Sequence, residues 1–303
     1  MTGHLPTSSI TLPFAMTDWP LPAAVVAHDA GATNLIIAWL KAWGSPVRAC
    51  VHGPARKLWE EAFPGDPVWE TPEQAMAGCA SLLTGTGWAS SLEHDARLAG
   101  RSHGLHVSAV LDHWVNYKER FEREGVTVWP DEVWVADSWA AEIARQVLPP
   151  MPVRQFENLY LQTQVAKVAP LPGDGTLLYV LEPVRNDWGR GTAGEFQALE
   201  YLLAHRDALT HEPVRRILLR PHPSDPTGKY TSYIDAHPDI TLDQSADMAA
   251  ALSQADVVAG VESFALTLAL AAGRTVYSSL PPWAPALRLP QEGIQQIRRL
   301  SPT

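Results

Sequence analysis

Short apolar runs alternate with stretches of helical spacing along almost the whole chain. Ala23–Ala27 reads as a buried strand, since five small or β-branched apolar residues follow one another without a charge. The small-residue loop Asp-Ala-Gly-Ala-Thr at 29–33 breaks it, and Leu35, Ile36, Trp39 and Leu40 then recur at helical spacing. Further strands are expected at Val47–Val51, 80–84, 107–111 and 133–136, with helices at 90–99 and 138–148. Strands separated by helices imply βαβ units and a parallel sheet covered on both faces. The right-handed crossover rule then favours an open doubly wound sheet.

From 163 to 176 the alternation stops, and the Pro/Gly-rich stretch around 168–175 reads as a linker. It restarts with strands at 177–181, Arg216–Arg220, 256–259 and 275–277, and helices at 195–204, 245–253 and 263–272. The fold expected is α/β: two Rossmann-like doubly wound domains, 1–165 and 175–303, joined by a linker at 166–174 and facing a cleft, the default ligand site.

Composition narrows the function. The chain has 303 residues, 46% hydrophobic and 18% charged, enough for two cored domains and unlike a disordered chain or coiled coil. A net charge of −10 argues against nucleic-acid binding, which needs a basic face. No apolar run is long enough to span a membrane. Cys50 and Cys79 are too few for a disulfide framework, and the segment from Met1 to Pro20 lacks the pattern of a secretory signal, so a cytoplasmic protein is expected. The twelve Trp are read mainly as core positions, and Glu157–Gln162 (ENLYLQ) as native sequence.

In open α/β sheets ligands bind beyond the carboxyl ends of the strands. After the strand Arg216–Arg220 comes Arg220-Pro221-His222-Pro223-Ser224, whose prolines fix a rigid turn around His222. Arg220 and His222 there suit a phosphate, the alternative being a surface turn with an incidental His. The loop Gly260-Val261-Glu262-Ser263 opens an apolar helix, and its free N–H groups attract phosphate while Glu262 suits ribose hydroxyls. An ordinary capped helix start is the alternative. Ser278 and Ser279 offer two hydroxyls at the same sheet edge.

This order of RPHPSD, a G-x-E-S helix start and a strand ending in Ser-Ser resembles the C-terminal half of GT-B-fold glycosyltransferases. It is most similar to the bacterial sialyltransferase and polysialyltransferase type, and to polymerases that use CDP-glycerol. The resemblance covers about 177–282 by motif and 20–165 by architecture. It implies transfer of a sugar, a nonulosonic acid being one class, from a nucleotide-sugar to a surface-glycan or small-molecule acceptor. His222 and Ser278 or Ser279 would contact the donor phosphate, Glu262 would lie near the nucleotide, and Glu182 and Arg185 would face the donor. A CMP- or CDP-linked donor is favoured, with no resident cofactor or metal.

An inverting transfer needs a base to take the acceptor's proton. The candidates are His28-Asp29 after the first strand and Asp112-His113-Trp114 after the fourth. For Asp29 the alternative is a helix cap, and for Asp112 a buried or capping carboxylate. The family base is an acid in an acid-rich motif before Gly, which Asp29-Ala30-Gly31 matches only in part. Segment 84–90 (TGTGWAS) is an incomplete dinucleotide fingerprint with Ser in place of the third Gly. His94, Asp95, His103, His106 and His113 have no metal-ligand spacing and are read as surface or capping residues. An epimerase or hydrolase using Asp112, His113 and Glu262, or a binding protein without a base, are the other readings.

Overall fold

The computed structural model describes residues 19–209 and 213–300, so the expected absence of a leader falls, for residues 1–18, outside the described residues. The chain divides into two compact units, Met1–Tyr160 and Leu161–Thr303.

In the first unit the strands β1 (Ala23–Ala27), β2 (Val47–Val51), β3 (Ser81–Thr84), β4 (His106–Leu111), β5 (Glu132–Val135) and β6 (Val153–Gln155) form one parallel sheet. Their order is 2-1-3-4-5-6. β1 shows why an unbroken apolar run becomes a central strand. Ala23, Val25 and Ala27 pack on one face with Trp39, Trp59 and Trp134, while Ala24 and Val26 pack on the other with Leu82, Ala96 and Val107. Helices α1 (Ala30–Trp43), α2 (Gly53–Ala62), α3 (Pro72–Met76), α4 (Leu92–Ser102) and α5 (Ser138–Val147) cover the two faces. α1 stops at Gly44, whose φ of 66° is the left-handed conformation a C-cap needs. Trp19, Trp39, Trp43, Trp134 and Phe156 interlock mostly edge to face, so much of the Trp content is core as expected, whereas Trp88, Trp139 and Trp283 are exposed.

Helix α6 (Leu159–Val165) follows, and the second unit repeats the theme. Its strands are β7 (Thr176–Val180), β8 (Arg216–Arg220), β9 (Ile240–Leu242), β10 (Val257–Gly260), β11 (Thr275–Ser278) and β12 (Ile294–Gln296). They form a parallel sheet in the order 9-8-7-10-11-12. Helices α7 (Gly194–His205), α8 (Thr231–Ala236), α9 (Met248–Leu252) and α10 (Phe264–Ala271) connect them. Two parallel Rossmann-like sheets are thus present, as the alternation predicts. The expected linker behaves differently: the amides of Gly173 and Gly175 donate to Asp256, and Ala169 bonds to Ser253 and Arg274. The stretch is tied to the second unit's sheet, and the division falls earlier, between Tyr160 and Leu161.

Candidate functional site

Each sheet order contains one switch point, where the chain leaves one side of a strand and continues on the other: between β1 and β3 in the first unit, between β7 and β10 in the second. Loops after such strand pairs diverge and leave a crevice at the carboxyl edge. Both switch points carry chemistry.

In the first unit the loop after β1 is His28-Asp29, and the loop after β3 is 85–88 (GTGW). The Asp29 carboxylate accepts the His28 Nδ1 hydrogen at 2.7 Å and, with its other oxygen, the backbone N–H of Trp88 at 3.0 Å. With Nδ1 donating, the neutral imidazole keeps its lone pair on Nε2. A side chain at Gly53, whose φ is +53°, would lie 2.5 Å from that nitrogen, so glycine there leaves it uncovered on that side. Asp29 is the residue before α1 but makes no side-chain cap bond to it. Its carboxylate is committed to the His28 ring and to the Trp88 N–H.

Glu93, in the first turn of α4, joins the two loops from beneath. Its carboxylate, 1% exposed, accepts the backbone N–H groups of His28, at 2.9 Å, and of Gly87. Burial pushes its pKa above the usual carboxylate range. Three arginines grip the same loop by successive carbonyls: Arg97 that of Gly85, Arg120 that of Thr86, Arg123 that of Gly87. The glycines of 84–90 make room for carboxylates, since a Cβ at Gly85 would meet Glu93 and one at Gly87 would meet Asp29. The space that the glycines of a dinucleotide fingerprint leave open for a pyrophosphate is taken here by these two carboxylates.

Asp112, after β4, is held by Arg120 at 2.8 Å, and Arg120 also bonds Thr86 and Val115. Asp112 thus serves as the partner that fixes the Arg120 guanidinium. His113 Nδ1 accepts the Trp114 backbone N–H at 2.9 Å, and its ring packs against the Trp114 indole. Asp112 also overlies the start of α1, where a Cβ at Gly31 would lie 1.8 Å from its Oδ2. Gly31→Ala is therefore expected to cost about 1–3 kcal/mol by overpacking, read as a lower urea midpoint.

In the second unit Glu182 follows β7 and Glu262 follows β10. Glu182 Oε2 accepts the backbone N–H of Glu262 at 3.3 Å. Burial is the main cause that raises the Glu182 pKa to about 7; the neighbouring Glu262 carboxylate adds to it, while the Glu262 N–H and Arg288 oppose it. Glu262 is paired with Arg288, whose Nε lies 3.1 and 3.2 Å from its two oxygens. The carboxyl of Glu182 ionises near 4.5 in the unfolded chain and near 7 when folded. Between those values the folded state keeps a proton the unfolded state has lost. The resulting stability is full at low pH and is lost as pH rises through about 7. Glu182→Gln is expected to flatten this slope, with a Tm above the parent's at about pH 8 and equal to it below about pH 4.5.

The other expected donor contacts divide. Arg220 is claimed by Asp243, whose side chain is fully buried, and by the Ser245 carbonyl at 3.2 Å. Its charge belongs to the β8–β9 edge. His222 is exposed in a turn pinned by Asp225, which accepts the His222 N–H at 3.0 Å, Lys229 at 2.6 Å and the Tyr230 hydroxyl at 3.3 Å. Its Nδ1 accepts the Ser224 N–H at 3.2 Å, so the neutral ring carries its proton on Nε2 as a donor. Ser278 and Ser279 are fully buried, and their hydroxyls donate to the carbonyls of Val261 and Gly260, Ser279 also meeting the Tyr179 hydroxyl. They stitch β11 to the loop after β10 and offer nothing to a ligand. Gly260 is needed because a Cβ there would lie 2.8 Å from the Val180 carbonyl, a close approach of two strands. Ser263 caps α10 through the Ala265 N–H at 3.2 Å. Arg185 is exposed in the loop after β7.

His94 proves buried, with Nε2 on the Val126 carbonyl at 3.1 Å. Among the described residues no cluster of three or more His, Cys, Asp or Glu could hold a metal ion, and no helix is long and apolar enough to cross a membrane. Sequence reasoning did not single out Glu93, Arg97, Arg120, Arg123, Asp243 or Arg288.

No family model and no curated protein sequence matches the chain. Solved structures do. A putative UDP-N-acetylglucosamine 2-epimerase from Listeria monocytogenes is 14% identical, with a TM-score of 0.58 over 84% of this chain and 78% of its own. The glycotransferase of kitacinnamycin is also 14% identical, with a TM-score of 0.52 over 93% of this chain and 87% of its own. These likenesses show the fold, the paired Rossmann-like α/β units of the GT-B class.

Proposed function

We propose that the protein is a glycosyltransferase that moves a sugar from a nucleotide-sugar donor to an acceptor hydroxyl. The observation that carries this reading is the His28–Asp29 pair at the first switch point, an imidazole base held in one tautomer by a carboxylate. Nε2 takes the acceptor's hydroxyl proton, the oxygen attacks the anomeric carbon, and the sugar–phosphate bond breaks with its electron pair leaving on the phosphate. Asp29 stabilises the imidazolium that forms.

The second unit is the donor side. His222 Nε2–H and the N-terminus of α10 are suited to the leaving phosphate, and Glu182 and Glu262 to ribose hydroxyls. The likeness of RPHPSD to enzymes that use CMP- and CDP-linked donors favours those nucleotides, a nonulosonic acid as the sugar and a surface glycan as the acceptor. Thermal-shift titrations with CMP, CDP, UDP and NAD test this. At a hundredfold excess over Kd the right nucleotide is expected to add about 2.7 kcal/mol of stability. His222→Ala is expected to weaken that binding, and stabilisation by NAD alone would overturn the proposal.

A sugar-nucleotide 2-epimerase is the second reading, favoured by the fold likeness to the putative UDP-N-acetylglucosamine 2-epimerase, with the Glu182 carboxyl, held against the Glu262 N–H, as an acid/base group of the second unit. Incubation with UDP-N-acetylglucosamine in heavy water separates the two, since epimerisation through C2 deprotonation would introduce deuterium at that carbon.

A further inference from the structure

A second, smaller recognition site lies on the outer side of α7. Gln197, Glu200, Tyr201 and Ala204 fall at i, i+3, i+4 and i+7 and share one face of that helix. With Arg190, Thr192, His205 and Trp283 they line a pocket of about 500 Å³. Trp283 is 40% exposed yet not loose: its Nε1–H donates to Gln197 Oε1 at 2.6 Å, and Gln197 is itself buried. The Gln197 amide in turn donates to the carbonyls of Asp187 and Thr192, both at 2.6 Å, which anchors the loop that carries Arg190. Asp187 shapes the same loop by accepting the N–H groups of Gly189 and Gly191. Tyr201 meets the indole edge to face at 5.8 Å.

The Arg190 guanidinium lies over the Trp283 ring, 3.9 Å from its centroid. Among the described residues no carboxylate forms an ion pair with it. A guanidinium stacked on an indole keeps its N–H groups available in its own plane, the geometry that receives a carboxylate through two parallel hydrogen bonds. Exposed aromatic surface, a planar cation without an ion-pair partner among the described residues, and Glu200, whose Oε1 takes the Tyr233 hydroxyl at 3.0 Å and whose other oxygen can accept a sugar hydroxyl, together define a chemistry. We propose that this pocket binds an acidic sugar residue, its ring against Trp283 and Tyr201 and its carboxylate on Arg190. The proposal stands apart from the transferase reading: Arg190 and Thr192 lie on the loop that follows β7, but none of the residues lining the pocket is one of the proposed donor contacts.

The test is binding of methyl β-D-glucuronide to the full chain by ligand-observed NMR, with methyl β-D-glucoside as the neutral counterpart. The glucuronide is expected to bind about tenfold more tightly than the glucoside, the worth of one charge-assisted pair. Arg190→Gln is expected to equalise the two sugars, and Trp283→Ala to weaken both. Should Trp283→Ala unfold, the exposed Arg190→Gln variant decides alone. Equal affinity of the two sugars for the parent, unchanged binding by Arg190→Gln, or displacement of the glucuronide by CMP or CDP would overturn the proposal. Failure of every nucleotide to bind would sink the transferase reading and leave this one standing.

Discussion

His28→Ala is expected to lower the rate of sugar transfer by about 10²- to 10⁴-fold, the usual worth of a positioned general base. Its nucleotide Kd should stay within about twofold of the parent's, because the base makes no contact that binding of the free nucleotide needs. Asp29→Asn is the informative companion. One Asp29 oxygen takes the His28 Nδ1 hydrogen and the other takes the Trp88 N–H. An amide offers an oxygen to only one of them and turns an NH₂ toward the other, so the ring loses its fixed tautomer. Turnover should fall about 10²-fold or more, again without loss of nucleotide affinity. Steady-state kinetics with the donor chosen by thermal shift are the measurement, and full activity of His28→Ala would remove the dyad from the mechanism.

Glu93→Ala is expected to be the most destabilising single change near the site, by about 3–5 kcal/mol. It strands the backbone N–H groups of His28 and Gly87. It also removes the negative charge closest in effect to Arg97, which is 1% exposed and whose pKa burial has lowered to about 10. Glu93→Gln should cost less, since its one carbonyl oxygen can still accept one of the two amides. Urea unfolding reads the difference as a fall in midpoint at constant m-value. An unchanged midpoint for Glu93→Ala would mean that water replaces the carboxylate.

The framework was legible because its strands are apolar on both faces, as β1 and β7 show, and parallel strands buried on both sides announce themselves without alternation. The edge strands Ile240–Leu242 and Ile294–Gln296 were not, being three residues long with one buried residue each. The site was legible only as strand ends. Glu93 and Arg97 sit in LEHDARLAGRS, which reads as a solvated helix because its charged residues are as many as its apolar ones and are spread along it. They are buried by loops that arrive from elsewhere in the sequence. Arg220 looked like a phosphate ligand because its partner, Asp243, lies 23 residues on, after a strand too short to be noticed. Ser278 and Ser279 looked available because residue type does not tell an inward hydroxyl from an outward one. His28 stood in plain view beside Asp29, and only the hydrogen-bond direction decides which of them the proposed transfer would use as its base.

The grip of Arg97, Arg120 and Arg123 on three consecutive carbonyls has a consequence for deuterium uptake. A segment with two glycines in four residues would ordinarily take up label within seconds. Here the Gly87 and Trp88 amides, closed by Glu93 and Asp29, should exchange only when the first unit opens as a whole, as slowly as those of its central strands.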